Sequence, residues 1–279
     1  MTLNALYGKK MKQISSTNNP LVKQILLLKD KSRERKKQGL FILEGFRELT
    51  LAIKSGFIID TLLFYPDLIS EEKIIKIINS ETELIEISKN VFEKLAHRST
   101  TEGIIAITKT KKVDLTNLKF KSDNPLILVA EAPEKPGNIG AILRTADASN
   151  IDCVIIANAK TDLFNPNIIR SSVGCVFTNT IVTASTSEII TFLKEKKINL
   201  FAAALHKESE VYTKQNFTKP TAIIVGTEAT GLSEEWLQNA KKIIIPMQGE
   251  IDSLNVSVSA AVIIFEAVRQ RNNNSKSKI

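Results

Sequence analysis

The stretch Ile245–Ala261, IPMQGEIDSLNVSVSAA, joins a strand to a long helix. An apolar strand end, Ile243-Ile244-Ile245, runs into Pro246 and a polar loop holding Gly249. Ser253-Leu254-Asn255 then opens an apolar helix. A helix mouth offers backbone N–H groups with no partner inside the helix. Small polar residues there ordinarily cap it, which is the plain role for Ser253 and Asn255. The alternative is a small-molecule pocket built largely of backbone.

Working outward, the preceding residues alternate apolar runs with helical patterns. Pro125–Ala130, Cys153–Ala157, Phe177–Val182, Leu200–Leu205, Thr221–Val225 and Lys242–Ile245 read as buried parallel strands. Helices are expected over Ala141–Ser149, from Asn165-Pro166, over Glu188–Lys197, over Glu234–Ala240 capped by Ser233, and over Asn255–Arg271. The pattern predicts a doubly wound α/β sheet, in which ligands bind at the strands' carboxyl ends. Three loops at those ends, 131–140, 226–232 and 246–255, are rich in Gly and small polar residues. Their coincidence favours a pocket.

Several chemistries are excluded. The first loop carries Gly137-Asn138-Ile139-Gly140, not G-x-G-x-x-G, and no acidic residue follows where a dinucleotide ribose needs one. No G-K-[ST] phosphate loop exists. With two histidines, His97 and His206, there is no Ser-His-Asp set and no zinc-ligand spacing, so no metal is expected. Cys153 and Cys175 sit in apolar runs and read as buried, reduced thiols. No apolar run reaches membrane-span length, and the N-terminus has no signal-peptide core.

The net charge is +8, and residues 1–40 alone supply it, with 10 Lys/Arg against 2 Asp/Glu. Arg269–Ile279 adds four basic residues and no acidic ones. Basic ends on a near-neutral body suggest a polyanion held at particular places. Asn18-Asn19-Pro20 starts an amphipathic helix, Gly39 ends it, and the basic run Lys29–Lys37 lies on or just after it. Strands Leu40–Leu43, Ile58–Tyr65, Leu84–Ile87 and Ile104–Thr108 alternate with helices Phe46–Ser55, Glu71–Asn79 and Ser88–Ala96, giving a small α/β domain. The expected division is an extended or disordered 1–12, a domain over 13–108, a lysine-rich linker over 109–124, a second domain over 125–271 and a basic tail over 272–279.

Asn138-Ile139-Gly140-Ala141-Ile142-Leu143-Arg144-Thr145-Ala146, Val225–Leu232, and Ile245-Pro246-Met247 with Ser253–Ala261 resemble the three motifs of the SpoU/TrmH family. These are S-adenosyl-L-methionine-dependent RNA ribose 2′-O-methyltransferases of the SPOUT class. Phe41–Arg47 and Ser99–Ile104 resemble the substrate-binding domain often attached to them, so the likeness spans roughly Ile14 to Arg271. It implies a mostly parallel sheet whose C-terminal segment forms a trefoil knot, although knots are otherwise very rare. It also implies a small N-terminal RNA-binding domain, a cytoplasmic homodimer, and S-adenosyl-L-homocysteine as product.

The resemblance puts Arg144 at the reacting hydroxyl, although an arginine is a poor base. It either acts with a substrate phosphate or orients the ribose and stabilises the developing alkoxide. Asn138, Glu228, Ser253 and Asn255 complete the catalytic set. Gly226, Ile245, Met247, Leu254 and Leu232 are the expected cofactor contacts. Arg33, Arg35, Lys36, Lys37, Arg47 and Arg170 are the expected RNA contacts, positioning phosphates rather than reading sequence. Ribosomal RNA is favoured over transfer RNA, and neither DNA nor a membrane is an expected partner. The competing readings are a transfer-RNA methyltransferase, a base-nitrogen methyltransferase and a non-catalytic RNA-binding protein.

Overall fold

A computed structural model of the chain describes residues 11–97, 102–227 and 229–276. The chain divides into two compact units: the first runs through Lys111 and also takes in Leu163–Thr178, and the second holds the remainder.

In the first unit, strands β1 (Lys12–Ile14), β2 (Leu40–Glu44), β3 (Ile59–Phe64), β4 (Glu83–Ile87) and β5 (Ile104–Lys109) lie in the order β1-β4-β3-β5-β2. β4 pairs in parallel with β1 and β3, while β5 runs antiparallel to β2 and β3. The helices are α1 (Pro20–Asp30), α2 (Ser32–Gln38), α3 (Phe46–Lys54), α4 (Glu71–Ile75) and α5 (Lys89–Leu95). Asn19 caps α1 by accepting from Leu21 N at 2.9 Å, with Pro20 in the first turn where its missing N–H is harmless. β1 was not expected, since three half-exposed residues carry too little pattern to announce a strand.

The basic run is not one continuous helix. Lys31 is extended (φ −112°, ψ 106°) and separates α1 from α2, which Gly39 closes in the left-handed conformation (φ 64°). Arg33, Lys36 and Lys37 are exposed. Arg35 is 2% exposed, and its guanidinium donates to Leu28 O at 2.7 Å and Lys29 O at 3.0 Å. The last carbonyls of a helix need outside donors, and Arg35 supplies them to α1. Its charge is spent inside the unit, so the expectation that it contacts RNA is corrected.

Leu163–Thr178 joins this unit through aromatic packing. Phe164 stacks on Phe41 with ring centroids 4.4 Å apart, and Phe177 meets Phe57 edge-on at 5.1 Å. This overturns the strand expected from Phe177: Cys175–Thr178 is a short helical turn, and the strand starts at Ile181. Phe177 is apolar because it packs against Phe41 and Phe57, not because it lies in the sheet.

The second unit has strands β6 (Leu126–Glu131), β7 (Cys153–Ala157), β8 (Ile181–Ala184), β9 (Asn199–Ala203), β10 (Glu210–Val211), β11 (Thr221–Val225) and β12 (Lys241–Ile244), in the order β10-β12-β9-β11-β6-β7-β8. Every pairing is parallel. Its main helices are α6 (Pro136–Ala148), α7 (Thr186–Glu195), α8 (Glu234–Asn239) and α9 (Val256–Lys276). β6, β7 and β11 are buried along their whole length, as expected for a parallel sheet covered on both faces. The expected linker belongs partly to this unit, because Val113, Leu115, Leu118 and Phe120 pack on its core. Among the described residues no helix is long and apolar enough to cross a membrane.

Arg35→Ala is expected to destabilise the protein by about 1–3 kcal/mol by leaving two carbonyls without their donor. Lys36→Ala, on the exposed face, is expected to stay within about 0.5 kcal/mol. Denaturant melts of both variants check this, and equal stabilities would refute the capping role.

Candidate active site

The order of the second sheet places a switch point between β6 and β11. From β6 the chain winds through β7 to β8 on one side, then returns to β9 on the other. Crevices at strand carboxyl ends open where winding reverses. Two cavities lie there, on either side of the turn after β11.

The larger, about 630 Å³, is lined by the ends of β9, β11 and β12 and by the loop into α9. Gly226, Leu232, Ile245, Met247 and Leu254 all line it, together with Ser253 and Asn255. Leu205, Thr227, Thr230 and Asp252 also line it and were not singled out in the sequence. The second, about 580 Å³, is lined by Glu131–Lys135, Asn138, Lys160 and the other side of the same turn. Arg144 is exposed on α6 and lines neither. Glu228 lies outside the described residues, as do residues 1–10, Arg98–Thr101 and 277–279.

The turn between the cavities is closed by its own backbone. Thr227 N donates to Gly231 O at 3.0 Å, and Gly231 N to Thr227 O at 3.1 Å. A Cβ on Gly226 would meet the Gly231 carbonyl at 2.3 Å. Gly226 is an expected cofactor contact, and a glycine would let a ligand approach the chain closely. The nearer requirement is that the chain approaches itself there.

Glu131, at the carboxyl end of β6, anchors the far end of this turn. It is 6% exposed. Its Oε2 accepts from Ser233 N at 2.8 Å, and its Oε1 from Ser233 Oγ at 2.8 Å and Thr186 Oγ1 at 3.1 Å. Three donors make a buried carboxylate tolerable. Ser233 stands before α8 as expected, but its hydroxyl serves Glu131 and makes no cap bond. Ser233 and Thr186 each stand at a helix start, so Glu131 joins α7, α8 and the interior strand β6. Nothing in the composition of the first loop distinguished Glu131 from Glu134.

At the third motif, Asn255 is the cap: its Oδ1 accepts from Ser257 N at 3.0 Å and Ser257 Oγ at 2.6 Å. Its Nδ2 donates to Asn138 Oδ1 at 3.2 Å. One side chain therefore starts α9 and links it to the first turn of α6. Ser253 does not cap; its hydroxyl donates to Asp252 at 3.1 Å. Asn138 was expected in a loop, but Pro136 suits a first helical turn and α6 begins there. Cys153 is buried and its thiol is pushed up by that burial, which leaves no thiolate for chemistry. Among the described residues no group of three His, Cys, Asp or Glu could hold a metal.

Gly226→Ala is expected to prise open the Thr227–Gly231 turn. Affinity for S-adenosyl-L-methionine, the ligand the sequence resemblance implies, should fall roughly tenfold or more, about 1.4 kcal/mol. Gly249, with open space around its Cα, should tolerate alanine. Calorimetric titration of both variants checks this, and unchanged binding by Gly226→Ala would count against the turn as a pocket wall.

Comparison with known proteins finds two matching family models. Residues 125–265 match the model of the SpoU rRNA methylase family, and residues 19–106 that of the MRM3-like substrate binding domain. The chain is 29% identical over 269 residues to the 23S rRNA (uridine(2479)-2′-O)-methyltransferase of Streptomyces viridochromogenes, covering 93% of each. A solved RNA 2′-O ribose methyltransferase matches at 39% identity and a TM-score of 0.80, over 93% of this chain and 99% of that one. An AdoMet-bound rRNA methyltransferase from Sinorhizobium meliloti matches at 27% identity and a TM-score of 0.85, over 93% and 98%. With the family model spanning more than half of its length, the chain belongs to the SpoU rRNA methylase family.

Proposed function

We propose that this chain methylates a ribose 2′-hydroxyl in structured ribosomal RNA, using S-adenosyl-L-methionine and releasing S-adenosyl-L-homocysteine. The observation that carries it is the single cavity at the ends of β9, β11 and β12, lined by all five expected cofactor residues, in a chain of this family. The cavity fits the donor. Its volume falls within the about 300–1,000 Å³ of small-molecule sites. Leu205, Leu232, Leu237 and Met247 offer apolar surface to a base, and Thr227, Thr230, Asp252 and Ser253 offer polar groups to the charged end.

When bound, the donor supplies a methyl group already activated on a sulfonium. The protein's part is to align the ribose hydroxyl and manage its charge. Alignment of a well-oriented pair is worth about 7–11 kcal/mol. Arg144 holds the acceptor phosphate and stabilises the developing alkoxide; a guanidinium is a poor proton acceptor, so the hydroxyl proton leaves to that phosphate or to water. Asn138, held by Asn255, orients the ribose. Ser253 completes the polar rim, and Glu228 belongs to the catalytic set on the family resemblance.

Arg33, Lys36, Lys37, Arg47 and Arg170, all exposed, hold RNA phosphates, with residues 13–108 as the substrate-binding domain. The Streptomyces relative, matched across both units, acts on 23S rRNA and supports ribosomal over transfer RNA, and a cytoplasmic setting is proposed with it. Family likeness supports a trefoil-knotted C-terminal path and pairing of two copies. Val258 and Phe265, seven residues apart on one face of α9 and 46% and 47% exposed, suit that pairing.

Mapping ribose methylation in ribosomal RNA from cells with and without the protein tests the reaction; an identical map would refute it. Arg144→Ala is expected to bind S-adenosyl-L-methionine normally but to lose roughly a hundredfold or more in turnover, about 2.7 kcal/mol or more. Near-normal turnover would remove Arg144 from the reaction. Val258→Glu with Phe265→Glu should shift sedimentation from dimer to monomer, and a wild-type monomer would sink the pairing.

A further inference from the structure

The first unit contains a cavity of about 300 Å³ that lies outside the methyl-transfer site. It forms where the turn between β2 and α3 meets the helix Pro166–Ser171, so its lining comes from two distant stretches of sequence. Arg47, Arg170 and Glu102 are exposed and Glu48 is half-buried, and all four line the cavity together with Glu44.

Most of the other polar groups are already committed. Glu44 is held by Lys29 at 2.6 Å and by His97 N at 2.8 Å. Glu102 accepts from Phe46 N at 2.5 Å, closing the start of α3. Glu48 differs. Among the described residues, the hydrogen bond to its carboxylate comes from its own backbone N–H. Burial, chiefly, pushes its pKa up, and the charge of Glu102 adds to this while Arg47 opposes it. Gly45 makes room for it: a Cβ there would meet Glu48 Oε2 at 2.6 Å. Arg47 makes no hydrogen bond or ion pair to a described residue, and Arg170 spends one donor on Asn167 at 2.7 Å.

A small anion in this cavity would face three carboxylates, Glu44, Glu48 and Glu102, and a bare cation would face two arginines. The lining suits one molecule that carries both a phosphate and a pair of hydrogen-bond donors. Among RNA bases only guanine shows two adjacent donors, N1–H and the N2 amine, on its pairing edge. Adenine and cytosine set an acceptor beside their amine, and it would oppose a carboxylate oxygen. That edge is free only in unpaired RNA.

We infer that this cavity binds one unpaired guanosine of the RNA substrate, its phosphate on Arg47 and Arg170 and its N1–H/N2 edge on Glu48. The inference rests on the RNA-methyltransferase reading and adds a base preference to the first unit, separate from methyl transfer.

The test uses the full-length protein and labelled uridine-rich hexanucleotides holding one central guanosine, inosine, N1-methylguanosine or adenosine. Fluorescence anisotropy should show guanosine binding about tenfold tighter than the other three, at the lower end of what a bidentate base contact discriminates. Glu48→Gln should erase that preference while leaving the salt dependence unchanged. Arg47→Ala and Arg170→Ala should weaken all four RNAs alike and lower the salt slope by about one each. Equal binding of guanosine and inosine by the wild type would overturn the inference, whatever the variants do. A preference that survives in folded Glu48→Gln would overturn it as well. S-adenosyl-L-methionine titration and methyl transfer to ribosomal RNA, run on the same protein, separate the cases. If both succeed without a guanosine preference, only the cavity assignment fails. If both fail, the enzymatic reading falls, and the inference about its substrate falls with it.

Discussion

One buried carboxylate holds the architecture of the second unit's pocket end. Glu131 terminates the interior strand β6, and its two oxygens take three donors from Ser233 and Thr186. A carboxylate this enclosed is costly unless its hydrogen bonds are made, and removing one partner leaves a charge without compensation. The starts of α7 and α8 are therefore tied to the strand. The turn between the two cavities ends at Ser233, so its far end has one position available. Its near end is set by Gly226, whose backbone lies too close to Gly231 for any side chain. A wall fixed at both ends can be thin, and here it is a single turn of chain with a cavity on each side.

The same economy governs the mouth of α9. Asn255 caps the helix with its carbonyl oxygen and reaches Asn138 with its amide. Capping and site geometry are therefore one constraint, because the side chain cannot rotate toward a ligand without releasing Ser257. This separates two kinds of polar residue at the third motif. Ser253 and Asp252 bond each other at the exposed rim and are free to rearrange at modest cost. Asn255 is fixed by the fold. Changing it would disturb the helix start, the link to α6 and the pocket together, so stability has to be measured beside activity before a catalytic role is read from it.

The parallel sheet was legible because its strands are continuous apolar runs, and the cavity because three polar, glycine-bearing loops fell at their ends. What was missed has physical causes. β10 is two residues long, and its pairing with β12 is set by neighbours rather than by pattern. Phe177 looked like a strand residue because apolar character does not say which core it enters. Only the ring contacts with Phe41 and Phe57 assign it to the first unit. Glu131 was hidden for the opposite reason. A charged residue in a loop normally reads as solvated, and its burial depends on Ser233 and Thr186, far along the chain.

The basic N-terminus shows why a charge count locates a partner only coarsely. Ten of the first forty residues are Lys or Arg, a density that suggests a polyanion. Yet Arg35 points inward and closes α1, and Lys29 is held by Glu44 with both side chains largely enclosed. A cation that satisfies buried carbonyls or a buried carboxylate adds little to the outer field, because its charge is already answered. Of the exposed remainder, Arg33, Lys36 and Lys37 lie on α2, the short helix that the break at Lys31 creates. Arg35 sits in that same helix, so the residue that seals α1 also fixes how the other three are displayed. The inward arginine thus sets the placement of the outward charges. Net charge fixes the sign of the partner, while the caps and breaks of the helices decide where that charge can be met.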